Sequence, residues 1–138
     1  MMENIKNQNL NFEEFFELAN SYEVGTTDVV QSLAKAIEIY KILVQKKHGK
    51  SMIQLANIYL KCGNNDTLHD IPNLLENALF VENEKDSNSF YLLGTFYQTG
   101  KGVIKNLQRA FLCFQKSFEL GNKLSLYPLG ICHLNGIF

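Results

Sequence analysis

The sequence has little arginine, proline or glycine and no tryptophan. Among 138 residues there are one arginine, two prolines and nine glycines. These are too few prolines and glycines for the many turns of an all-β protein, whereas the abundant Leu, Ala, Glu, Lys and Gln favour helices. The 13 basic and 14 acidic residues give a net charge of −1. Without a basic field, the chain is expected to bind neither nucleic acid nor an anionic membrane surface.

Hydrophobic segments that could cross or enter a membrane are missing too. No apolar run approaches about 18 residues, and residues 1–10 are polar, without the apolar core of a signal peptide. We therefore expect no membrane insertion and a cytoplasmic location. The three cysteines form no CxxC pair, and their odd number is typical of reduced thiols in an intracellular protein. We expect all three to be buried and inert, namely Cys62, Cys113 and Cys132.

Residue spacing indicates neither a metal site nor a catalytic set. The three histidines, His48, His69 and His133, belong to no metal-ligand motif. Cys62 and His69 flank one loop and are the single pair that leaves a metal open. His133 replaces an aromatic residue of the repeat described below, which favours a core or interface position. No thiol or hydroxyl is spaced beside an oriented base, so we predict no enzyme, no metal ion and no cofactor.

A short motif recurs along the chain at steps of 36–38 residues. It consists of Leu, a tiny residue and, three residues later, an aromatic residue or His. A glycine follows three or four residues further on, where it can end a helix, so each motif predicts a leading helix that stops at Gly25, Gly63, Gly100 or Gly136. The four copies are Leu18-Ala19…Tyr22, Leu55-Ala56…Tyr59, Leu93-Gly94…Tyr97 and Leu129-Gly130…His133.

A trailing helix is predicted behind the first and third motifs. Ser32 and Asn106 are suitable N-terminal caps because their side chains accept hydrogen bonds from a first helical turn. Apolar or small residues follow at helical spacing, and the tiny residue of each motif is expected where the two helices cross most closely. The predicted buried stripes are Ala36, Ile39, Tyr40 and Leu43, and Ala110, Cys113, Phe114 and Ser117.

The middle unit departs from this pattern. Thr67 could cap its trailing helix, but Pro72 would then lie too far inside the helix, where proline removes a backbone donor and clashes with the preceding turn. Asp70 is the better predicted cap, with Pro72 in the first turn. The predicted stripe is Ile71, Leu74, Leu75 and Ala78, followed by a longer polar connection at 82–87.

The third unit resembles a known family. It reads Leu93-Gly94…Tyr97…Gly100-Lys101-Gly102-Val103…Asn106…Arg109-Ala110…Phe114…Gly121, which is similar to the Sel-one-like repeat, a relative of the tetratricopeptide repeat. The first two copies have Ala in place of Gly and lack Gly-x-Gly-Val. The resemblance implies an all-α superhelix, or solenoid, of antiparallel helix pairs that acts as a protein-interaction scaffold without catalytic machinery.

With this resemblance, the chain length amounts to about 3.5 helix-turn-helix repeats. We predict a disordered tail at 1–10 and a solenoid at 11–138, with units at about 11–47, 48–84, 85–121 and an incomplete unit at 122–138. The last unit would leave apolar residues uncovered where a trailing helix is expected. Three explanations stay open: a fragment of a longer array, docking on a partner, or end-to-end self-association.

Two columns of equivalent residues are candidates for partner binding on the concave face, which the leading helices should line. The first is large and apolar: Phe15, Met52, Phe90 and Leu126. It either forms an exposed groove for an apolar or amphipathic peptide or is half-buried between repeats. Its neighbours one residue later should face the core: Phe16, Ile53, Tyr91 and Tyr127.

The second column follows the tiny residue of each motif and holds Asn20, Asn57, Thr95 and Ile131. Asparagine can donate and accept hydrogen bonds at once and can thus hold a peptide backbone. Since the chain has 15 asparagines, a solvated face is the alternative.

The sequence therefore predicts an adaptor for a peptide or protein. A regulatory or structural subunit that docks on and activates an enzyme is the alternative, and it would use a flat interface on the outer helices. A helical-repeat RNA reader is disfavoured, because it needs basic inner helices and the single Arg109 lies on a trailing helix.

Overall fold

The computed structural model describes residues 11–25, 32–63 and 65–136, and these residues form helices without any β-strand. The predicted all-α architecture of helix-turn-helix repeats is confirmed. Residues 1–10, where a disordered tail is predicted, lie outside the described part. Within that part no helix is both long and apolar enough to cross a membrane. The helices are α1 Phe12–Val24, α2 Leu33–Gln45, α3 Gly49–Cys62, α4 Asn65–Leu68, α5 Asp70–Glu76, α6 Ser87–Thr99, α7 Leu107–Glu119 and α8 Leu126–Leu134.

The helices pack as successive layers along the chain. The leading helices are α1, α3, α6 and α8, and the trailing helices are α2, α5 and α7. Helix α2 contacts both α1 and α3, α5 contacts both α3 and α6, and α7 contacts both α6 and α8. Each trailing helix thus packs against the leading helix before it and the leading helix after it, which is the arrangement of a solenoid.

Both predicted N-terminal caps of the trailing helices are confirmed. The Ser32 hydroxyl accepts a hydrogen bond from the Lys35 amide at 3.4 Å, and Asn106 Oδ1 accepts one from the Arg109 amide at 3.0 Å. Each bond satisfies one of the N–H groups that a first helical turn leaves free. The spacing from motif to cap in the sequence is therefore sufficient to place the start of α2 and α7.

The glycines behind the motifs lie at or near the ends of the leading helices, with differing backbone geometry. Gly25 and Gly100 end α1 and α6 with φ of 82° and 73°, the region that glycine enters without steric cost. Gly63 ends α3 in an extended conformation. Gly136 lies two residues beyond the last residue of α8.

The middle unit starts as a short turn of helix, α4, before α5. Asp70 is the first residue of α5, and His69 before it makes no capping hydrogen bond with its side chain, so Asp70 as the N-terminal cap is wrong. Pro72 does fall in the first turn, as predicted. Helix α5 then continues into a π-helical turn, Asn77–Val81, which the sequence pattern does not reveal. The polar connection at 82–86 follows it.

The buried stripes of α2 and α7 match the sequence pattern. The tiny residue Gly94 lies directly under the Phe114 ring, because a Cβ built on Gly94 would be 2.8 Å from Phe114 Cε1. Close crossing at the tiny residue is therefore confirmed for this pair of helices. The fully buried members, each at most 1% exposed, are Ala36, Ile39, Tyr40, Leu43, Ala110, Cys113, Phe114 and Ser117.

A contact that has no signal in the repeat pattern joins the second and third units. Arg109 on α7 forms an ion pair with Glu76 on α5, and its guanidinium lies 4.3 Å from the centre of the Phe80 ring. The Tyr97 hydroxyl donates a hydrogen bond of 2.9 Å to the other oxygen of Glu76. The single arginine of the chain thus connects three helical segments.

Candidate partner-binding groove

The large apolar column does not form an exposed groove. Met52 and Phe90 are each 5% exposed, and Phe15 is half-buried, whereas Leu126 is 54% exposed. The π-helical turn after α5 explains the burial: Met52 packs against Ala78, and the Phe90 ring meets Phe80 edge-on at 5.6 Å. Met52 and Phe90 therefore belong to the core, and the hypothesis of a continuous apolar groove through them is corrected.

The neighbouring column faces the core in three of its four units. Phe16 and Ile53 are each 8% exposed, and Tyr91 is half-buried. Tyr127, expected in the core as well, is 78% exposed. The difference arises because no trailing helix follows α8 within the described residues.

The asparagine column yields a row of amides across the first two leading helices. Asn20 Oδ1 on α1 accepts hydrogen bonds from the Tyr40 hydroxyl and, at 3.4 Å, from Gln54 Nε2 on α3. Gln54 Oε1 in turn accepts a bond of 3.5 Å from Asn57 Nδ2, one turn further along α3. Burial raises the pKa of Tyr40, which keeps its hydroxyl protonated as a donor. The row therefore runs from the core to the surface and ends at Asn57.

Asn57 lines three surface cavities. A cavity of about 760 Å³ lies between α1 and α3, with Gln54, Asn57 and Lys61 in its wall. A second, of about 260 Å³, extends from Asn57 toward Lys50 and Asp86. A third, of about 440 Å³, lies between α3 and α6 and also includes Asn57 and Lys61. We call the surface of the leading helices that these three cavities occupy the Asn57 groove.

The third cavity combines an apolar surface with polar residues around it. Leu60 is 49% exposed and Leu124 is 69% exposed, and both line the cavity between α3 and α6. The half-buried Tyr91 and Leu92 contribute the rest of the apolar lining, while Asn88 and Asn122 add amides. Such a lining can accept a small apolar side chain beside a hydrogen-bonded backbone.

Asn57 keeps hydrogen-bonding capacity for a ligand. Its side chain is half-buried, and its one hydrogen bond, to Gln54, uses a single amide N–H. Among the described residues nothing else pairs with its Oδ1 or with its second N–H. One acceptor and one donor are thus available in the groove, which matches the alternating C=O and N–H groups of an extended peptide.

Thr95 and Ile131 do not extend the amide row. The Thr95 hydroxyl donates a hydrogen bond of 3.0 Å to the Tyr91 carbonyl within its own helix. Ile131 is half-buried and has no polar group to offer. The amide groups of this column are therefore confined to α1 and α3, with Asn88 and Asn122 beyond them.

Charges of both signs lie along the groove. Lys50 Nζ is 3.8 Å from Glu13 Oε2. Asp86 caps α6 by accepting a hydrogen bond of 3.3 Å from the backbone N–H of Asn88. Burial raises the pKa of Glu23, an effect that the nearby Lys61 opposes. The mixture gives no strong field of one sign, so the groove is not built for a polyanion or a polycation.

The structure brings together a Ser-His-Glu set that residue spacing does not reveal. His48 Nδ1 lies 2.7 Å from Ser51 Oγ, and His48 Nε2 lies 3.3 Å from Glu13 Oε1. Ser51 is nevertheless 0% exposed, so no substrate can reach its hydroxyl. The imidazole also packs on the Phe16 ring with centroids 5.3 Å apart. We therefore assign this set to holding α1 against the start of α3.

The cysteines and His133 differ in part from expectation. Cys113 and Cys132 are buried, and burial raises the pKa of the Cys113 thiol to about 12. Cys62 is exposed because it is the last residue of α3, so its predicted burial is wrong. His133 is exposed on α8, contrary to a core position. The described residues contain no group of three or more His, Cys, Asp or Glu that could hold a metal ion.

The helix pairs around the groove match a sequence family. The profile of the Sel1 repeat matches residues 16–47 and 91–122, which correspond to α1 with α2 and to α6 with α7. The chain carries Sel1 repeats. Proteins with Sel1 repeats generally serve as scaffolds for protein interactions. A search of curated protein sequences finds no match.

Solved structures with the same repeat superpose on the chain. A Sel1 repeat protein from Oxalobacter formigenes matches with a TM-score of 0.74 and 22% identity over 93% of this chain and 92% of that one. A protective antigen of uropathogenic Escherichia coli with an SLR fold gives a TM-score of 0.75 and 23% identity over 92% of this chain. This chain spans 27% of that protein's length.

A third structure, the cysteine rich protein B of Helicobacter pylori, matches with a TM-score of 0.60 and 18% identity over 91% of this chain and 95% of that one. At such identities the likeness concerns the fold. The assignment as a Sel1 repeat solenoid thus has support from both the sequence profile and the shape.

Sequence reasoning missed Gln54, which links Asn20 to Asn57. A signal was present: Gln54 precedes Asn57 by three residues, so both side chains lie on one side of α3. The hydrogen bond that Gln54 donates to Asn20 joins residues that are 34 positions apart in the sequence, so it could not be predicted from a helical period.

Proposed function

We propose that this Sel1 repeat protein is a cytoplasmic, non-enzymatic adaptor that binds an extended segment of a partner protein in the Asn57 groove, on the concave face. The observation that carries the proposal is the position of Asn57, which lines all three cavities and whose Oδ1 and second N–H pair with none of the described residues. An extended segment would lie across α1, α3 and α6, with its backbone held by Asn57 and its small side chains in the cavity beside Leu60.

The charge pattern of the groove supports a main-chain mode of recognition. Lys50 forms an ion pair with Glu13. Asp86 accepts hydrogen bonds from the backbone N–H of Asn88 and, at 2.7 Å, from the Ser89 hydroxyl. With these charges already partnered, hydrogen bonds to the peptide backbone and apolar contacts supply the binding energy. Each hydrogen bond of this kind makes a net contribution of about 1 kcal/mol to the binding free energy.

The proposal is tested by selecting peptides on the purified protein from a random library displayed on phage. Selected peptides are synthesised, and their dissociation constants are measured by fluorescence anisotropy with the wild-type protein and with Asn57→Ala. Loss of two hydrogen bonds predicts binding weaker by about tenfold or more, because a factor of ten corresponds to about 1.4 kcal/mol. The melting temperature should stay near that of the wild type, since Asn57 makes a single long hydrogen bond within the fold.

Asn73→Ala is the matched control, because Asn73 is an exposed asparagine on the trailing helix α5. It should leave peptide affinity unchanged. Selected peptides that bind Asn57→Ala as tightly as the wild type would contradict the proposal. Peptides that lose affinity with Asn73→Ala instead would indicate a site on the outer helices, as expected for a regulatory subunit that docks on an enzyme.

A further inference from the structure

A cavity of about 310 Å³ lies between the second and third units. Its walls come from the π-helical turn, the connection at 82–86, the start of α6 and the end of α7. We call it the Lys116 cavity. It shares only Glu84 with the residues that line the Asn57 groove. A ligand of this cavity would therefore be bound separately from a segment in that groove.

The buried part of the wall is apolar. Leu79 and Phe90 are 3% and 5% exposed, and Leu120, directly after α7, is 42% exposed. The volume is at the lower end of the range for small-molecule sites, which extends from about 300 to 1,000 Å³. The cavity therefore has the size and the surface for one compact apolar group.

Lys116 places a positive charge beside this apolar surface. It is half-buried in the last turn of α7 and lines the cavity. Among the residues that the structure describes, no carboxylate forms an ion pair with Lys116 or with Lys85, the exposed lysine of the same wall. A half-buried charge without a partner loses hydration and gains no bond in return. The cavity therefore favours an anion.

The two glutamates of the wall do not neutralise these lysines. A Cβ built on Gly49, the first residue of α3, would be 2.9 Å from Glu84 Oε1. The Glu84 carboxylate thus lies at the N-terminus of α3, whose partial positive charge stabilises it, and Gly49 does not line the cavity. Glu119 is exposed, so water screens its charge. Its position still disfavours a ligand with several negative charges.

We propose that the Lys116 cavity binds a small organic monocarboxylate with a compact aliphatic or aromatic body. The carboxylate would accept a charge-assisted hydrogen bond from Lys116. The apolar body would cover Leu79, Phe90 and Leu120. An uncharged compound of the same shape would bury Lys116 further without pairing its charge, and phosphates or dicarboxylates would be repelled by Glu119.

The probes are isocaproate, hydrocinnamate and, as an uncharged compound of the same shape as the first, isocaproamide. Each is titrated into the isotope-labelled whole chain, and backbone amide shifts are followed by NMR. Ligands this small should bind with dissociation constants on the order of 1 mM. The largest shifts should fall in residues 79–90 and 116–120. Isocaproamide should bind at least about tenfold more weakly than isocaproate, because it lacks the charge that pairs with Lys116.

Variants of the wall test the role of charge. Lys116→Gln should weaken the binding of isocaproate at least about tenfold. Glu119→Gln should strengthen it about twofold, because a screened repulsion is removed. Lys41→Gln, which removes an exposed lysine from the trailing helix α2, is the matched control and should have no effect. Far-UV circular dichroism verifies the fold of each variant. If Lys116→Gln unfolds, the comparison of isocaproate with isocaproamide on the wild type decides alone.

Four results would overturn the proposal. They are no saturable shifts, equal binding of isocaproate and isocaproamide, an equal loss with Lys41→Gln, and much tighter binding of a peptide. The last is tested with N-acetylglycylleucine, which carries the same branched side chain and carboxylate at the end of a peptide. Binding more than about tenfold tighter than that of isocaproate would assign the cavity to the C-terminus of a protein. Asn57→Ala should leave isocaproate binding unchanged, so this test is independent of the Asn57 groove.

Discussion

The close approach of Gly94 to Phe114 leads to a prediction about two equivalent glycines. Alanine in place of a helical glycine normally stabilises a helix by about 1 kcal/mol. At position 94 the added Cβ would lie 2.8, 3.0 and 3.1 Å from three atoms of the Phe114 ring, which is 1% exposed and cannot move into solvent. At position 130 the same methyl group meets no atom of the described residues within 4 Å.

Overpacking of a core by one methyl group costs about 1–3 kcal/mol. Gly94→Ala should therefore lower the free energy of unfolding by up to about 2 kcal/mol after the helical gain is subtracted. Gly130→Ala should raise it by up to about 1 kcal/mol. The two variants, equivalent in the sequence repeat, should thus differ by about 1–3 kcal/mol and in the sign of their effect.

The assay is urea unfolding followed by far-UV circular dichroism, with the slope compared among variants. A double variant adds a second test. Phe114→Leu combined with Gly94→Ala should be less destabilised than the sum of the single changes, by at least about 0.5 kcal/mol, because the smaller side chain makes room for the methyl group. Stabilisation by Gly94→Ala as large as that by Gly130→Ala would refute the reasoning.

Two further predictions concern stability and thiol reactivity. Arg109→Lys keeps the charge beside Glu76 but loses the contact of the guanidinium with the Phe80 ring. The free energy of unfolding in urea should therefore fall by about 1 kcal/mol, and an unchanged urea midpoint would contradict this role. At pH 8 a thiol reagent should label Cys62 rapidly and Cys113 only on unfolding, because burial raises the pKa of Cys113 to about 12 and keeps it protonated. Peptide mapping by mass spectrometry distinguishes the two sites, and equal labelling rates would show that Cys113 is accessible.

The register of the repeat could be predicted from the sequence because it depends on local chemistry. The caps Ser32 and Asn106, and the stripes that follow them, require only helical spacing and a side chain that can accept a hydrogen bond. The π-helical turn at Asn77–Val81 has no such local signal. Since that turn covers Met52 and Phe90, their burial could not be predicted either.

The candidate site was predictable to a smaller extent. The column containing Asn20 and Asn57 follows from the repeat, and both residues do lie along one row of amides. Asn57 is the end of this row because Gln54 links it to Asn20. The row also depends on Tyr40, whose hydroxyl donates a hydrogen bond to Asn20 from the trailing helix. Hydrogen bonds between helices are set by three-dimensional packing, so no periodicity along a single helix contains them.

In the fourth unit the repeat pattern alone does not predict how a substitution changes the stability of the fold. Tyr91 and Tyr127 occupy the same position in the motif, as do Gly94 and Gly130, so their local sequences predict the same surroundings. Among the residues that the structure describes, Tyr91 and Gly94 pack under Phe114, whereas Tyr127 is 78% exposed and a Cβ on Gly130 meets no atom within 4 Å. In a solenoid each layer stabilises the next, so the burial of a residue depends on the neighbouring helix as much as on its own. The energetic effect of a substitution in this chain must therefore be worked out from the covering helix, as the contact of α7 with α6 shows.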